Sequence, residues 1–199
     1  MKKIAVDVVL LPSEPIMDMA IEANRALLEQ TSDKISLNKE NCLPHISLAM
    51  GCIDNRDIVR IENVLQSLAV SHFPEKLIVE GIQVGANAKN EKVSVLQLKK
   101  TPQLQSLHEA VMRQLEPFLS YDVSVNMILP PYPISESTLI WIRNYPEKSS
   151  FEKFSPHVTL GYGQIDDVSF PPEFTASELA LCRLGNHCTC RKILASIAF

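Results

Sequence analysis

The same eleven-residue phrase occurs twice in this chain. Pro44-His45-Ile46-Ser47-Leu48-Ala49-Met50-Gly51-Cys52-Ile53-Asp54 runs beside Pro156-His157-Val158-Thr159-Leu160-Gly161-Tyr162-Gly163-Gln164-Ile165-Asp166, with six of eleven positions identical. Ile/Val, Ser/Thr and Ala/Gly are conservative exchanges among the rest. An internal repeat constrains the fold more than local propensity does, because two similar sequences build two similar units. Upstream, a strand and helix at 4–31 correspond to a strand and helix at 93–118; downstream, Phe73-Pro74 and Phe170-Pro171 each precede a hairpin. The simplest account is a duplicated β-α-β unit, divided at approximately 1–91 and 92–199.

Hydrophobic periodicity fills in the units. Ile16, Met19, Ala20, Ala23 and Leu27 predict a helix over about 14–31. Asp54 is placed to cap a second helix with the stripe Ile58, Ile61, Leu65 and Leu68. Thr101-Pro102 opens a third, with Leu104, Leu107, Val111 and Leu115. Each is amphipathic and therefore covers a sheet. Strands are predicted at 4–11, 45–50, 77–84, 93–98, 123–129, 138–143, 157–162, 177–183 and 188–198. The turns Gly85-Ala86-Asn87 and Leu184-Gly185-Asn186 make antiparallel hairpins of 77–84 with 93–98 and of 177–183 with 188–198. Ile4 precedes His45 by 41 residues and Val93 precedes His157 by 64, so the second copy carries about 23 extra residues, mostly in 121–155. That insert holds Pro130, Pro131, Pro133, Trp141, Arg143, Tyr145, Lys148 and Lys153. It either borders a ligand pocket or forms a surface excursion with one extra hairpin.

Side chains at i and i+2 of a strand share a face, so His45 with Ser47, and His157 with Thr159, each present an imidazole beside a hydroxyl. Ala49 and Gly161, next in the alternation, leave room above the sheet for a cavity. Two imidazoles and two hydroxyls related by an approximate twofold axis suit a phosphodiester. One neutral histidine deprotonates the attacking oxygen, and the other, protonated, donates to the leaving oxygen. The hydroxyls of Ser47 and Thr159 donate to the non-bridging oxygens as charge develops. With 24 Ser and Thr in 199 residues, five histidines should be followed two places on by a hydroxyl less than once; the count is three. The third, His187-Cys188-Thr189, lacks the flanking Pro and Leu. His187 is therefore assigned a structural or surface role, as are His72 and His108.

A formal net charge of −4 supplies no global field to recruit a long polyanion. Short or nucleotide-sized substrates fit it better. Five cysteines, Cys42, Cys52, Cys182, Cys188 and Cys190, favour reduced thiols in a cytoplasmic protein over a disulfide framework. No apolar run approaches a bilayer span. Met1-Lys2-Lys3-Ile4 resembles the start of a signal peptide, but Asp7 interrupts the apolar stretch and no small-residue cleavage site follows. A zinc site from Cys182, His187, Cys188 and Cys190 is the rival chemistry; its Cys-x-Cys spacing differs from the usual knuckle. Neither a metal nor a cofactor is expected.

The pair of motifs, Pro44-His45-Ile46-Ser47-Leu48 and Pro156-His157-Val158-Thr159-Leu160, resembles the two-histidine (2H) phosphoesterase superfamily, marked by His-x-Thr/Ser on strands of two similar lobes. Val95-Leu96-Gln97-Leu98 followed by Leu104-Gln105-Ser106-Leu107-His108 is similar to the middle of its 2′,5′ RNA ligase branch. Serine at 47 replaces the commoner threonine, keeping the hydroxyl but losing a methyl that stiffens its rotamer. The resemblance implies a single bilobal α+β domain over 1–199 with an antiparallel sheet in each lobe, helices outside and a central cleft. It also implies opening of 2′,3′-cyclic phosphates of RNA ends or nucleotides to 2′-phosphates, in some members with reverse 2′,5′ ligation. By matching position His45 and His157 are the acid–base pair, and Ser47 and Thr159 the phosphate ligands. Trp141, Tyr145, Tyr132 and Tyr162 are candidates to stack a nucleobase, and Lys148, Lys153 and Arg143 to contact phosphate. The expected protein is monomeric and makes no membrane contact. The rival class is a non-catalytic RNA-end or nucleotide-binding module with the same cleft.

Overall fold

A computed structural model describes residues 2–30, 35–72, 76–86, 90–131, 133–165 and 168–199. In chain order these form β1 (Lys3–Pro12), α1 (Glu14–Leu28), β2 (Ile46–Asp54), α2 (Ile58–Ser71), β3 (Leu77–Ala86), β4 (Lys92–Leu98), α3 (Pro102–Leu115), α4 (Glu136–Lys148), β5 (His157–Tyr162), β6 (Glu173–Phe174), β7 (Ala176–Leu184) and β8 (Cys190–Ala198). The fold is α+β. Predicted caps are in place: Thr101 Oγ1 accepts from Leu104 N at 3.2 Å, and Asp54 accepts from Arg56 N at 3.0 Å, opening a single 3-10 turn (Asn55–Asp57) ahead of α2.

The strand order is β6-β3-β4-β5-β2-β1-β7-β8. Its two four-stranded antiparallel halves meet between β5 and β2 at one register pair, Ile46 with Val158. Each half mixes strands from both parts of the chain: β1 and β2 are extended by the C-terminal hairpin β7–β8, and β4 and β5 by β3 and β6.

Immediately past the seam both motif strands carry a bulge. On β2 the partners of Val9 and Val8 are Ser47 and Ala49; on β5 the partners of Val95 and Ser94 are Thr159 and Gly161. Leu48 and Leu160 are the extra residues, and a bulged residue is left out of the ladder. Their carbonyls are taken by buried side chains on helices. His108 of α3 meets Leu48 O through Nδ1 at 2.8 Å, and Asn24 of α1 donates to Leu160 O at 2.8 Å. The bulge also corrects the expected alternation. Ala49 and Gly161 turn away from the cavity face, and the next residues, Met50 and Tyr162, take it. At Gly161, with φ +148°, an added Cβ would lie 2.7 Å from Asn24 Nδ2, so α1 fills the space that glycine leaves.

His108 is structural, as expected. Its Nε2 accepts from Phe151 N at 2.7 Å, and its ring stacks on Phe154 at 4.0 Å. With Nδ1–H given to Leu48 O, both ring nitrogens are used by the neutral form.

The insert 121–155 departs from prediction. The expected strand at 138–143 is the centre of α4, and 123–129 holds a 3-10 turn (Val125–Met127). Thr138-Leu139-Ile140-Trp141-Ile142-Arg143 is β-prone by residue type, but Thr138, Ile142 and Tyr145 are the buried face at helical spacing. Cys182 and Cys190 correct the expectation of reduced thiols. Across the β7–β8 hairpin their Cα atoms are 5.5 Å apart and their sulfurs are bonded, while Cys42, Cys52 and Cys188 are free. No described helix is long and apolar enough to cross a membrane.

Asn24 also donates to Ile35 O and accepts from Leu37 N, at 3.0 and 2.8 Å. Asn24→Leu strands three buried backbone groups and should lower stability by about 3 kcal/mol, read by urea denaturation. Burial lowers the His108 pKa to about 4, so between pH 6.5 and 4 the unfolded state binds a proton that the native state does not. Stability should therefore fall by up to about 3 kcal/mol as pH drops through that window, and His108→Gln should flatten the dependence.

Candidate active site

The seam sets the geometry. Continuing the antiparallel register one residue either side of Ile46 and Val158 puts His45 opposite Thr159 and Ser47 opposite His157. Imidazole faces hydroxyl across the seam in both directions, on one face of the sheet. All four side chains line one cavity of about 530 Å³.

Both imidazoles are held in the same way. His45 Nδ1 meets Leu43 O at 2.7 Å and His157 Nδ1 meets Ser155 O at 2.8 Å. The proline between each pair explains the recurrence, since it biases the preceding residue to extended backbone and brings that carbonyl beneath the ring. A carbonyl only accepts, so Nδ1 carries the proton in the neutral ring and Nε2 is the nitrogen left for chemistry. Burial lowers both pKa values below the ordinary histidine value, assisted at His45 by proximity to His157.

The insert supplies a wall of the cavity. Trp141, Tyr145, Lys148 and Lys153 all line it, whereas Arg143 is exposed outside the lining and Tyr132 lies outside the described residues. Trp141 is 52% exposed at the cavity edge, and Tyr145 is buried. Asn186 fastens the wall: its Oδ1 accepts from Ser135 N and from Thr138 Oγ1, both at 2.9 Å.

Two residues assigned otherwise by sequence bear on the cavity: His187 lines it, and Asp7 lies behind the lining residue Ser47. His187, expected to be structural or superficial, pairs with Tyr162 Oη at 3.2 Å through Nδ1. Its left-handed φ of 58°, followed by 55° at Cys188, turns both residues inward between β7 and β8. Asp7, which read only as an interruption of an apolar strand, is fully buried, with Oδ2 2.6 Å from Ser47 Oγ and 4.0 Å from His45 Nε2. A buried carboxyl in an otherwise apolar run was the signal available for it. The four residues of the zinc alternative are not gathered: Cys182 and Cys190 bond each other, and among the described residues no three His, Cys, Asp or Glu side chains group to hold a metal.

Compared with solved structures, the chain is similar to TT0787 of Thermus thermophilus (15% identity, 98% of this chain and 97% of that one, TM-score 0.61). It is also similar to E. coli LigT complexed with NADP+ (12% identity, 100% and 99%, TM-score 0.53). This chain has the LigT fold. No family model and no curated protein matches the sequence. The LigT fold accounts for the bilobal α+β architecture expected from the motifs; the insert helix α4 and the buried Asp7 are read from this chain alone.

Long-range ¹H–¹⁵N spectra above pH 7 should show Nδ1 protonated and Nε2 unprotonated for both His45 and His157, with both rings titrating below pH 6.5. An Nε2–H tautomer at either ring would contradict the tethering.

Proposed function

We propose that the protein is a phosphodiesterase that opens 2′,3′-cyclic phosphates of RNA ends or nucleotides to 2′-phosphates by paired histidine acid–base catalysis. The observation that carries this reading is the twofold-related pair of imidazoles on one cavity, each with Nδ1 tied to a carbonyl and Nε2 without a hydrogen bond among the described residues. Water attacks phosphorus and gives its proton to one Nε2. The P–O3′ bond breaks, and O3′ takes a proton from the other. Ser47 and Thr159 donate to the non-bridging oxygens, where charge accumulates. Both proton transfers are supplied by the chain, so the reading calls on no metal or cofactor.

Because burial lowers both histidine pKa values, the reaction needs one ring to take a proton from solvent as the arriving anion raises its pKa, and activity should fall on both sides of an optimum. Trp141 and Tyr145 give the walls apolar, aromatic surface suited to a nucleoside, and Lys148 and Lys153 add positive charge for a terminal phosphate. LigT is known in complex with NADP+, which is consistent with a nucleotide-sized ligand. With an RNA 5′-hydroxyl in place of water, the same attack on the cyclic phosphate breaks P–O3′ and leaves a 2′,5′ linkage, the ligation expected of some relatives.

A panel of 2′,3′-cyclic nucleotides, with the product phosphate located by ³¹P NMR, tests the reading. Product should carry a 2′-phosphate. His45→Ala and His157→Ala should each lower kcat about 10²–10⁴-fold with the fold intact, and the double variant should lose less than the product of the two. Near-normal turnover in either single variant contradicts the assignment. Binding without product would instead make the chain a non-catalytic RNA-end or nucleotide-binding module. As the sole tryptophan, Trp141 should report ligand entry by a change in emission.

A further inference from the structure

Asp7 breaks the twofold symmetry of the site. Its register partner on β2 is Met50; the corresponding pair in the other half is Val93 with Tyr162, so an apolar side chain occupies the equivalent position. Asp7 has no exposed surface, its Oδ1 has no hydrogen-bond partner among the described residues, and its Oδ2 sits 2.6 Å from Ser47 Oγ. Ionised, this carboxyl would be an anion with one unpaired oxygen in a dry site beneath the place where a phosphate binds, an arrangement of high energy. It would also hold the Ser47 proton, leaving only oxygen lone pairs facing the phosphate.

A neutral carboxyl removes both conflicts, because the short oxygen–oxygen contact serves either polarity. We infer that Asp7 is a positioning residue that works as a protonated acid: its hydroxyl donates to Ser47 Oγ, turning the Ser47 proton outward to a non-bridging oxygen of the bound phosphate. This rests on Ser47 being a phosphate ligand, as in the function proposed above. No bond between heavy atoms changes, and the proton stays on Asp7 throughout.

Every neighbour of Asp7 is compatible with a neutral group. From β2 it faces His45, whose pKa is lowered by burial, and Ser47 and the Ala49 backbone N–H, which pull the Asp7 pKa down by less than burial raises it. From α4 it faces Tyr145 and from the 186–188 turn Cys188; both are pushed up by burial and then by Asp7, and stay protonated. Its register partner on β7, Cys182, is disulfide-bonded and does not titrate. Burial pushes Asp7 itself up to about 8. The sign follows: the carboxyl is protonated below that value, and the anion-binding hydroxyl is lost as pH rises through it.

The test is anion affinity against pH, with sulfate as the probe because its charge does not change in this range. From pH 7 to 9.5 the wild-type Kd should rise about tenfold beyond the rise that histidine deprotonation causes in every variant, the scale of one reversed hydrogen bond. Asp7→Asn mimics the protonated acid, since its amide also donates to Ser47. It should bind as wild type does at pH 7, and toward pH 9.5 it should lose affinity about tenfold less than wild type, keeping only the loss due to the histidines. Ser47→Ala should bind weakly throughout, without the alkaline step. Identical profiles for wild type and Asp7→Asn would overturn the proposal. A merely structural Asp7 predicts that result, or a uniform loss. Should Asp7→Asn fail to fold, the wild-type ¹³C carboxyl signal decides. Asp7 should be protonated at pH 7 and should titrate at higher pH with sulfate bound; an ionised signal at pH 7 overturns the proposal. Sulfate binding with the alkaline step but no turnover of cyclic nucleotides would support Asp7's role while removing the phosphodiesterase reading.

Discussion

One backbone contact carries the site. Where the two half-sheets meet, β2 and β5 share the single pair Ile46–Val158, and each motif histidine and hydroxyl flanks one of those two residues. The brevity of the seam is as important as its presence. A bulge on either side releases Leu48 and Leu160 from the ladder, lets the half-sheets part, and rotates Met50 and Tyr162 onto the cavity face. The freed carbonyls would be a liability in a dry interior. His108 and Asn24 satisfy them from helices, so each bulge is braced by an element on the outside of the sheet. Core packing, bulge geometry and the placement of the candidate catalytic groups are thus parts of the same local structure.

The frame is symmetric and the contents are not. The identical Pro–His units tether both rings alike, through the carbonyl two residues back. The second copy then adds α4 with Trp141, Tyr145 and Lys148, and the turn after it with Lys153, to close one side, and the first adds Asp7 beneath Ser47. The phosphodiester proposed as substrate has paired non-bridging oxygens but unlike bridging ones, which a duplicated cradle with unequal surroundings would suit.

Much of this was legible in the chain. The repeat gave the paired histidines and hydroxyls, and periodicity gave α1, α2 and α3, with Thr101 capping α3 and Asp54 the 3-10 turn ahead of α2. What escaped had physical causes. Ala49 and Gly161 were expected on the cavity face because alternation in a strand is read as unbroken, and no residue type announces a bulge. The β-branched and aromatic content of 138–143 outweighed its helical spacing, which only the packing of Thr138, Ile142 and Tyr145 reveals. His187 enters the cavity through two left-handed residues in a turn, a conformation that His and Cys do not advertise. The Cys182–Cys190 bond depends on the staggered register of β7 and β8. Asp7 could have been noticed: an acid in a strand buried from Ile4 to Leu11 needs a reason to be there.

The central claim is that the seam delivers both Nε2 atoms to one phosphorus. A crystal structure of the protein with inorganic phosphate measures this most directly. The account predicts one phosphate ion within hydrogen-bonding distance of His45 Nε2, His157 Nε2, Ser47 Oγ and Thr159 Oγ1 together. Phosphate bound to a single histidine, or an Nε2–Nε2 separation too wide for one ion to bridge, would contradict it.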